Sequence, residues 1–377
     1  MTVMTALAVY ALVLVGCVPT AIPDIFGESG TGASTLPATS PIRVKERPPT
    51  LITGESRMFQ GTEFVTMLNP VTVVRHVYSY GSNGQRVDYA EGVDWVLQNG
   101  QLARTAASRM PDFNDYRYVA GTDGRFDFAV NPRNPPRTIN YNVYIDYEST
   151  IADKLVVATP IRNSVTTIAC LGDSIAAGAD TIAFFYGGND SQSFCGLLRT
   201  RLAGEATVVN ESVPGAVVDG VWSNLDSFVA KRPNVAIIEF GTNDHLAGAA
   251  GLATFAQHLD DVVARYRAVG TSVILLGFFQ QNKLWALEDP TQTIAYNAAI
   301  RQIAVNRGVK YIDIYRAYDF ITPQSAPPTE QYFHFMGDFI HHPNVYGQRI
   351  YYSLLIPYFL HVDTPASQID GYVIGPK

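Results

Sequence analysis

The sequence predicts an α/β protein, a doubly wound parallel-sheet domain preceded by a small all-β, sandwich-like domain. Three observations carry this. From residue 165 onward, stretches with strand character alternate with stretches of helical period. Two of those strands, Val235 to Phe240 and Val273 to Leu276, are short runs apolar but for Glu239, as expected where helices cover both faces of a sheet. Residues 55–155 instead show period-two alternation broken by turn residues, the pattern of antiparallel strands.

Taken in order, the chain divides at 1–24, 25–54, 55–160 and 161–377. Thr2 to Val18 is apolar and uncharged but short for a bilayer span, so it reads as the apolar core of an export signal. Leu14-Val15-Gly16-Cys17 resembles a bacterial lipobox, which makes Cys17 a lipidation candidate and a candidate membrane attachment. An uncleaved anchor or a misplaced start is the alternative, since no Lys or Arg precedes the apolar run. Expected locations are the periplasm, the outer membrane as a lipoprotein, or the extracellular space. Residues 25–54, rich in Gly, Ser, Thr and Pro, read as a linker.

In the all-β part, Phe64 to Met67 and Val71 to Val74 read as strands, and Ser82-Asn83-Gly84 marks a hairpin. Tyr141, Val143, Ile145 and Tyr147 share one strand face. In the α/β part, strands are expected at 165–172, 206–211, 234–240, 271–278 and 309–314. Helices are expected near 191–203, 217–230, 250–269, 291–307 and 344–360.

Composition narrows the function classes. A chain of 377 residues with 47% hydrophobic content can bury a core large enough for two domains. Its formal net charge of −7 and lack of clustered Lys and Arg exclude a nucleic-acid partner. The seven histidines form no metal-ligand spacing and no phosphate-cradling glycine loop follows the first α/β strand, so neither a metal nor a cofactor is expected. Of the cysteines other than Cys17, an exported Cys170 and Cys195 invite a disulfide. Cys170 however lies in a buried strand, where a free thiol behaves as a small hydrophobe, and free thiols are the favoured reading.

The chemistry starts at Ser174, delivered by Val165 to Gly172 in the run Gly172-Asp173-Ser174. Serine needs an imidazole to take its proton and a carboxylate to hold that imidazole. Asp338 with His341 or His342, in Asp338-Phe339-Ile340-His341-His342-Pro343-Asn344, supplies both. An attacked carbonyl also needs donors for its developing charge. The backbone N–H groups of Ser174 and Gly215 and the side-chain amide of Asn243 are the candidates. Singly these motifs are bland: Gly-Asp-Ser and a glycine after a strand are ordinary turns, Asn243-Asp244 is a helix cap, and His-Pro-Asn is a helix start. Asp244 and His245 fit a pocket wall or a capping role equally well. Ser174, Gly215 and Asn243 nevertheless all fall past the C-terminal ends of expected strands, the edge at which open α/β sheets bind ligands.

Four blocks, the Gly-Asp-Ser, the glycine after the second strand, Gly241-Thr242-Asn243-Asp244 and the late Asp-x-x-His, occur in the order seen in the SGNH (GDSL-type) hydrolase superfamily. The chain resembles that family over roughly residues 165–360. The resemblance implies a flavodoxin-like α/β domain, Ser174 as nucleophile, Gly215 and Asn243 as oxyanion donors, and Asp338 with a histidine as the other catalytic members. His341 keeps the three-residue spacing from Asp338, whereas His342 keeps the spacing to Gly347. His341 is favoured because the Asp–imidazole contact is the stricter demand.

The expected activity is an exported serine esterase that removes a short acyl group, acetyl first, from a carbohydrate or other acylated small molecule. The alternatives are a lipase, lysophospholipase or thioesterase acting on longer chains, an acyltransferase using the same residues, and a non-catalytic binding or adhesion protein.

Overall fold

The structure is a computed structural model that describes residues 42–45, 50–115, 138–150, 155–158, 165–321, 334–338 and 340–360. The export signal read at 1–24, Cys17, and residues 25–41 of the stretch read as linker lie outside these. Residues 42–45 and 50–54 of that stretch are strand: β1 (Ile42–Lys45) pairs antiparallel with β8 (Leu155–Ala158), and β2 is Thr50–Arg57. Strand β3 is Val71–Tyr80, β4 Arg86–Asp88, β5 Trp95–Gln98, β6 Gln101–Arg104 and β7 Val143–Ser149. Four of them form one antiparallel sheet in the order β2-β7-β3-β4, and β5 pairs with β6. The expected hairpin at Ser82-Asn83-Gly84 is the β3–β4 turn, with Gly84 at φ +76. The strand expected at 64–67 reduces to one bridge, Val65 to Leu102.

Central strand β7 is buried along nearly its whole length. Val143, Ile145 and Tyr147 on one face join a cluster with Trp95, Leu102 and Met110. Tyr144 on the other face packs with Ile182 and Val345 of the α/β part. Both faces are therefore spoken for, and the tyrosines here serve packing.

Past residue 165 the chain alternates as expected: β9 (Thr167–Gly172), α1 (Ser174–Ala177), α2 (Ile182–Gly187), α3 (Phe194–Arg201), β10 (Thr207–Asn210), α4 (Val218–Trp222), α5 (Leu225–Val229), β11 (Val235–Glu239), α6 (Gly248–Ala268), β12 (Ser272–Leu276), α7 (Pro290–Arg307), β13 (Lys310–Ile312), α8 (Ile314–Ile321) and α9 (Val345–Leu355). The five parallel strands stand in the order β10-β9-β11-β12-β13. Successive strand residues feed two cores. Ile168, Cys170, Ile237 and Ile274 pack toward Phe194, Leu198 and Tyr351 of α3 and α9, while Ala169, Leu171, Ile238 and Leu275 pack toward α4, α6 and α7. Such a strand is apolar at nearly every position, which is why β11, but for Glu239 at its end, and β12 after Ser272 read as apolar runs. The chain leaves β9 toward β10 on one side and returns to β11 on the other, opening a crevice at the carboxyl end of β9.

The reading of free thiols is corrected: Cys170 and Cys195 form a disulfide, with Cα atoms 6.5 Å apart. Cys170 sits on the β9 face covered by α3, and Cys195 is in the first turn of that helix. Burial of Cys170 was legible in the sequence, but the layer facing it was not.

Candidate active site

Three turns converge on the crevice. At the end of β9, Asp173 caps α1 by accepting the Ile175 N–H at 2.8 Å, which places Ser174 at the first helical position. The N–H of such a residue has no partner within the helix, and among the described residues none is found for Ser174. After β10, Gly215 sits in the exposed turn that precedes α4, at φ +80, a conformation that costs side-chain-bearing residues. Its N–H likewise meets no acceptor among the described residues. After β11, the Asn243 amide donates to Ala216 O at 2.9 Å and lies 3.4 Å from Asp173 Oδ2. It is thus held between the serine turn and the Gly215 turn.

The imidazole at the serine is that of His342. Its Nε2 lies 2.9 Å from Ser174 Oγ. This reverses the expected preference, and the cause is the turn after Asp338. Asp338 Oδ1 accepts three successive backbone N–H groups, from Ile340, His341 and His342, at 2.8, 2.9 and 3.0 Å. A chain wrapped so tightly around one oxygen brings the fourth residue, not the third, over the other. His342 Nδ1 is 2.8 Å from Asp338 Oδ2, and His341 turns aside to stack on Trp285, ring centroids 5.4 Å apart.

A second carboxylate reaches the same nitrogen. Asp180 Oδ2 is 2.6 Å from His342 Nδ1, and the Nδ1–H direction is well aligned with neither acid. Asp180 lies in the turn between α1 and α2 at φ +58. That turn can approach because residue 337 is glycine: a Cβ there would stand 2.4 Å from Asp180 O. No motif spacing marks Asp180, and the sequence reading missed it. Burial opposes charging His342, but Asp338 and Asp180 outweigh it and raise the imidazole to about 10. Burial would likewise raise Asp338, yet the two histidines and the backbone donors hold it well below the usual carboxylate range.

Beneath the serine lies another pair. Asp173 and Glu239 are fully buried, and burial pushes Asp173 up to about 7 and Glu239 well above the ordinary glutamate value. The Thr242 hydroxyl reaches Glu239 Oε1 at 3.4 Å, and Oε2 has no hydrogen-bond partner among the described residues. Asp244 and His245 are structural braces: Asp244 accepts the N–H groups of Val218 and Gly241, and His245 bridges Gly241 O and Glu288.

Among the described residues, the donor atoms of Asp338, His341 and His342 form the one His/acid cluster tight enough for a cation, within 4.8 Å of one another. The 2.8 Å between His342 Nδ1 and Asp338 Oδ2 is the separation of a close ion-pair contact. Two ligands each about 2.0–2.2 Å from one ion stand farther apart.

Several solved structures resemble the chain. That of TesA is 25% identical, covering 52% of this chain and 99% of its own, at a TM-score of 0.41. Axe2, an acetylxylan esterase from Geobacillus stearothermophilus, is 18% identical over 53% and 98%, at 0.42. The psychrotrophic esterase EstA from Pseudoalteromonas sp. is 19% identical over 51% and 94%, at 0.37. No curated protein sequence matches the chain. Residues 170–350 match the GDSL-like Lipase/Acylhydrolase family. Because that stretch runs from the strand before Ser174 to the helix after His342 and takes in every group at the crevice, this part of the chain is a domain of the SGNH (GDSL-type) hydrolase superfamily and the protein is a carboxylic ester hydrolase.

Proposed function

We propose that the chain hydrolyses short acyl esters, acetyl foremost, on carbohydrate or similar polar alcohols, with Ser174 as nucleophile, His342 as base and Asp338 as its acid partner. The observation that carries this is the 2.9 Å contact of His342 Nε2 with Ser174 Oγ, at a strand end with two unpartnered N–H groups beside it. Ser174 attacks the ester carbonyl and passes its proton to His342. The negative oxygen is met by the Ser174 and Gly215 N–H groups and the Asn243 amide. Collapse expels the alcohol, protonated by His342, and leaves an acyl-serine that water attacks in the same way.

A short acyl group is supported by the fate of the neighbouring apolar side chains. Phe240, Phe278 and Ile340 are buried in apolar clusters, and the side chain that meets the Ser174 hydroxyl is the polar His342. One observation favours longer chains: Val213, Leu246 and Leu287 are exposed on the loops that carry Gly215, follow Asn243 and adjoin Glu288. Export is part of the proposal and is supported by the Cys170–Cys195 disulfide.

The test is release of acid from aryl esters of two to twelve carbons and from acetylated oligosaccharides, by wild type and Ser174→Ala. Turnover should be highest at two carbons, and Ser174→Ala should lose at least about a thousand-fold in kcat while folding normally. Highest turnover at eight carbons or more would favour the lipase-like reading, and an active Ser174→Ala would remove the nucleophile assignment.

A further inference from the structure

We infer that Asp180 is a second acid partner of His342, a positioning residue that shares the imidazole Nδ1–H with Asp338 and takes over its orientation when Asp338 is lost. The inference rests on the proposed Ser174–His342 chemistry and deepens it.

The two carboxylates approach one nitrogen from different parts of the chain. Asp338 comes from the loop that carries His342, and Asp180 from the turn after the helix that carries Ser174, at 2.8 and 2.6 Å. Asp338 spends its other oxygen on three backbone N–H groups, so only Oδ2 serves the histidine. Asp180 is fixed by a left-handed backbone and by the close passage of Gly337. Asp and Asn adopt that conformation more readily than other side-chain-bearing residues. The charged or titratable groups facing His342 are Asp338 and His341 on its own loop, Asp180 on the α1–α2 turn and Asp173 at the end of β9, with Ser174 at Nε2. Three of the four ionisable groups are acids, so the imidazolium formed during attack is strongly favoured. The same excess holds a proton on the resting base and moves its working range toward alkaline pH. Removing one acid should therefore relax the base without abolishing it.

The experiment uses Asp180→Asn, Asp338→Asn and the double variant, each Asn keeping the size and turn preference of the acid it replaces. Loss of a lone triad acid costs about ten-thousand-fold in kcat. With two partners, Asp338→Asn should lose no more than about a hundred-fold and Asp180→Asn about ten-fold, while the double variant should show the full loss. The acidic limb of kcat/KM should move down by roughly one pH unit in Asp180→Asn, because the imidazolium loses one of its two counter-charges. A readout independent of turnover is the NMR titration of His342 in the Ser174→Ala protein with and without Asp180→Asn, which should shift in the same direction. An Asp338→Asn as inactive as the double variant, together with an unmoved limb and titration, would overturn the inference. If wild type turned over no ester at all, the fault would lie with the esterase reading, and the His342 titration would still decide Asp180.

Discussion

His341 and His342 differ by one position and are set to do different work. A turn that spends one Asp338 oxygen on three N–H groups leaves the imidazole four residues on beside the free oxygen, and the preceding imidazole against Trp285. His342→Ala should lower kcat by about a thousand-fold or more, the usual cost of a triad base, and His341→Ala by roughly ten-fold or less. Steady-state kinetics on an aryl acetate check this, and an inactive His341→Ala beside an active His342→Ala would return the role to His341. The sequence held a clue on each side. The Asp-x-x-His spacing favoured His341, but Gly347 stands five positions after His342 for a packing reason, since a Cβ there would meet Phe335 O at 2.6 Å.

The strand and loop that hold this turn belong to different parts of the chain. Ser56 of β2 donates its N–H to His334 O at 3.1 Å and pairs its hydroxyl with the Asn344 amide at 2.5 Å. Asn142, just before β7, donates to Met336 O and Gly337 O at 3.3 and 3.2 Å. Glu55 and His334 add a buried contact at 2.7 Å, with Arg57 on the other ring nitrogen. The antiparallel sheet is thus the wall on which the Asp338–His342 loop is mounted. Asn142→Ala leaves buried Gly337 O without its donor and Met336 O with only the Asn344 amide at 3.5 Å, which should cost about 1–3 kcal/mol of stability. It should also lower kcat with little change in KM, because the loop carries the acid and base. Urea unfolding alongside kinetics would test this, and a variant with wild-type values in both would show that the sheet does not brace the loop.

The molecule as a whole should lose stability as pH rises from acid to alkaline. Asp173 and Glu239 bind their protons more tightly folded than unfolded, so the stability they confer is complete below the unfolded value near pH 4 and is lost through about 7 and above. His342 acts in the same sense, its share being lost between about 6.5 and 10. Asp190 and Asp260, held low by Arg199 and Arg307, oppose this only in acid, where they are protonated. Glu239→Gln keeps the size of the side chain and removes one titration. Its Tm should fall less than that of wild type between pH 5 and 8, by up to about 1.4 kcal/mol of stability per pH unit for one proton. Calorimetry at several pH values decides it, and parallel curves would mean that Glu239 is ionised in the folded protein.

The α/β rhythm, the parallel strands and the convergence of Ser174, Gly215 and Asn243 were legible because each follows from local chemistry. A strand buried on both faces must be apolar at nearly every position, and a parallel sheet brings its strand ends to one edge. The pairing of His342 rather than His341 with Asp338 was not, because it depends on how a turn spends its backbone donors. Asp180 was invisible for a related reason: its partner lies 162 positions away, and only the approach of Gly337 to the α1–α2 turn joins them. The Cys170–Cys195 bond and the bracing of the Asp338–His342 loop by β2 likewise required knowing which layer covers which face. Period and spacing specify a residue's own element and the side it presents, whereas contacts between distant elements are set by packing the folded layers together.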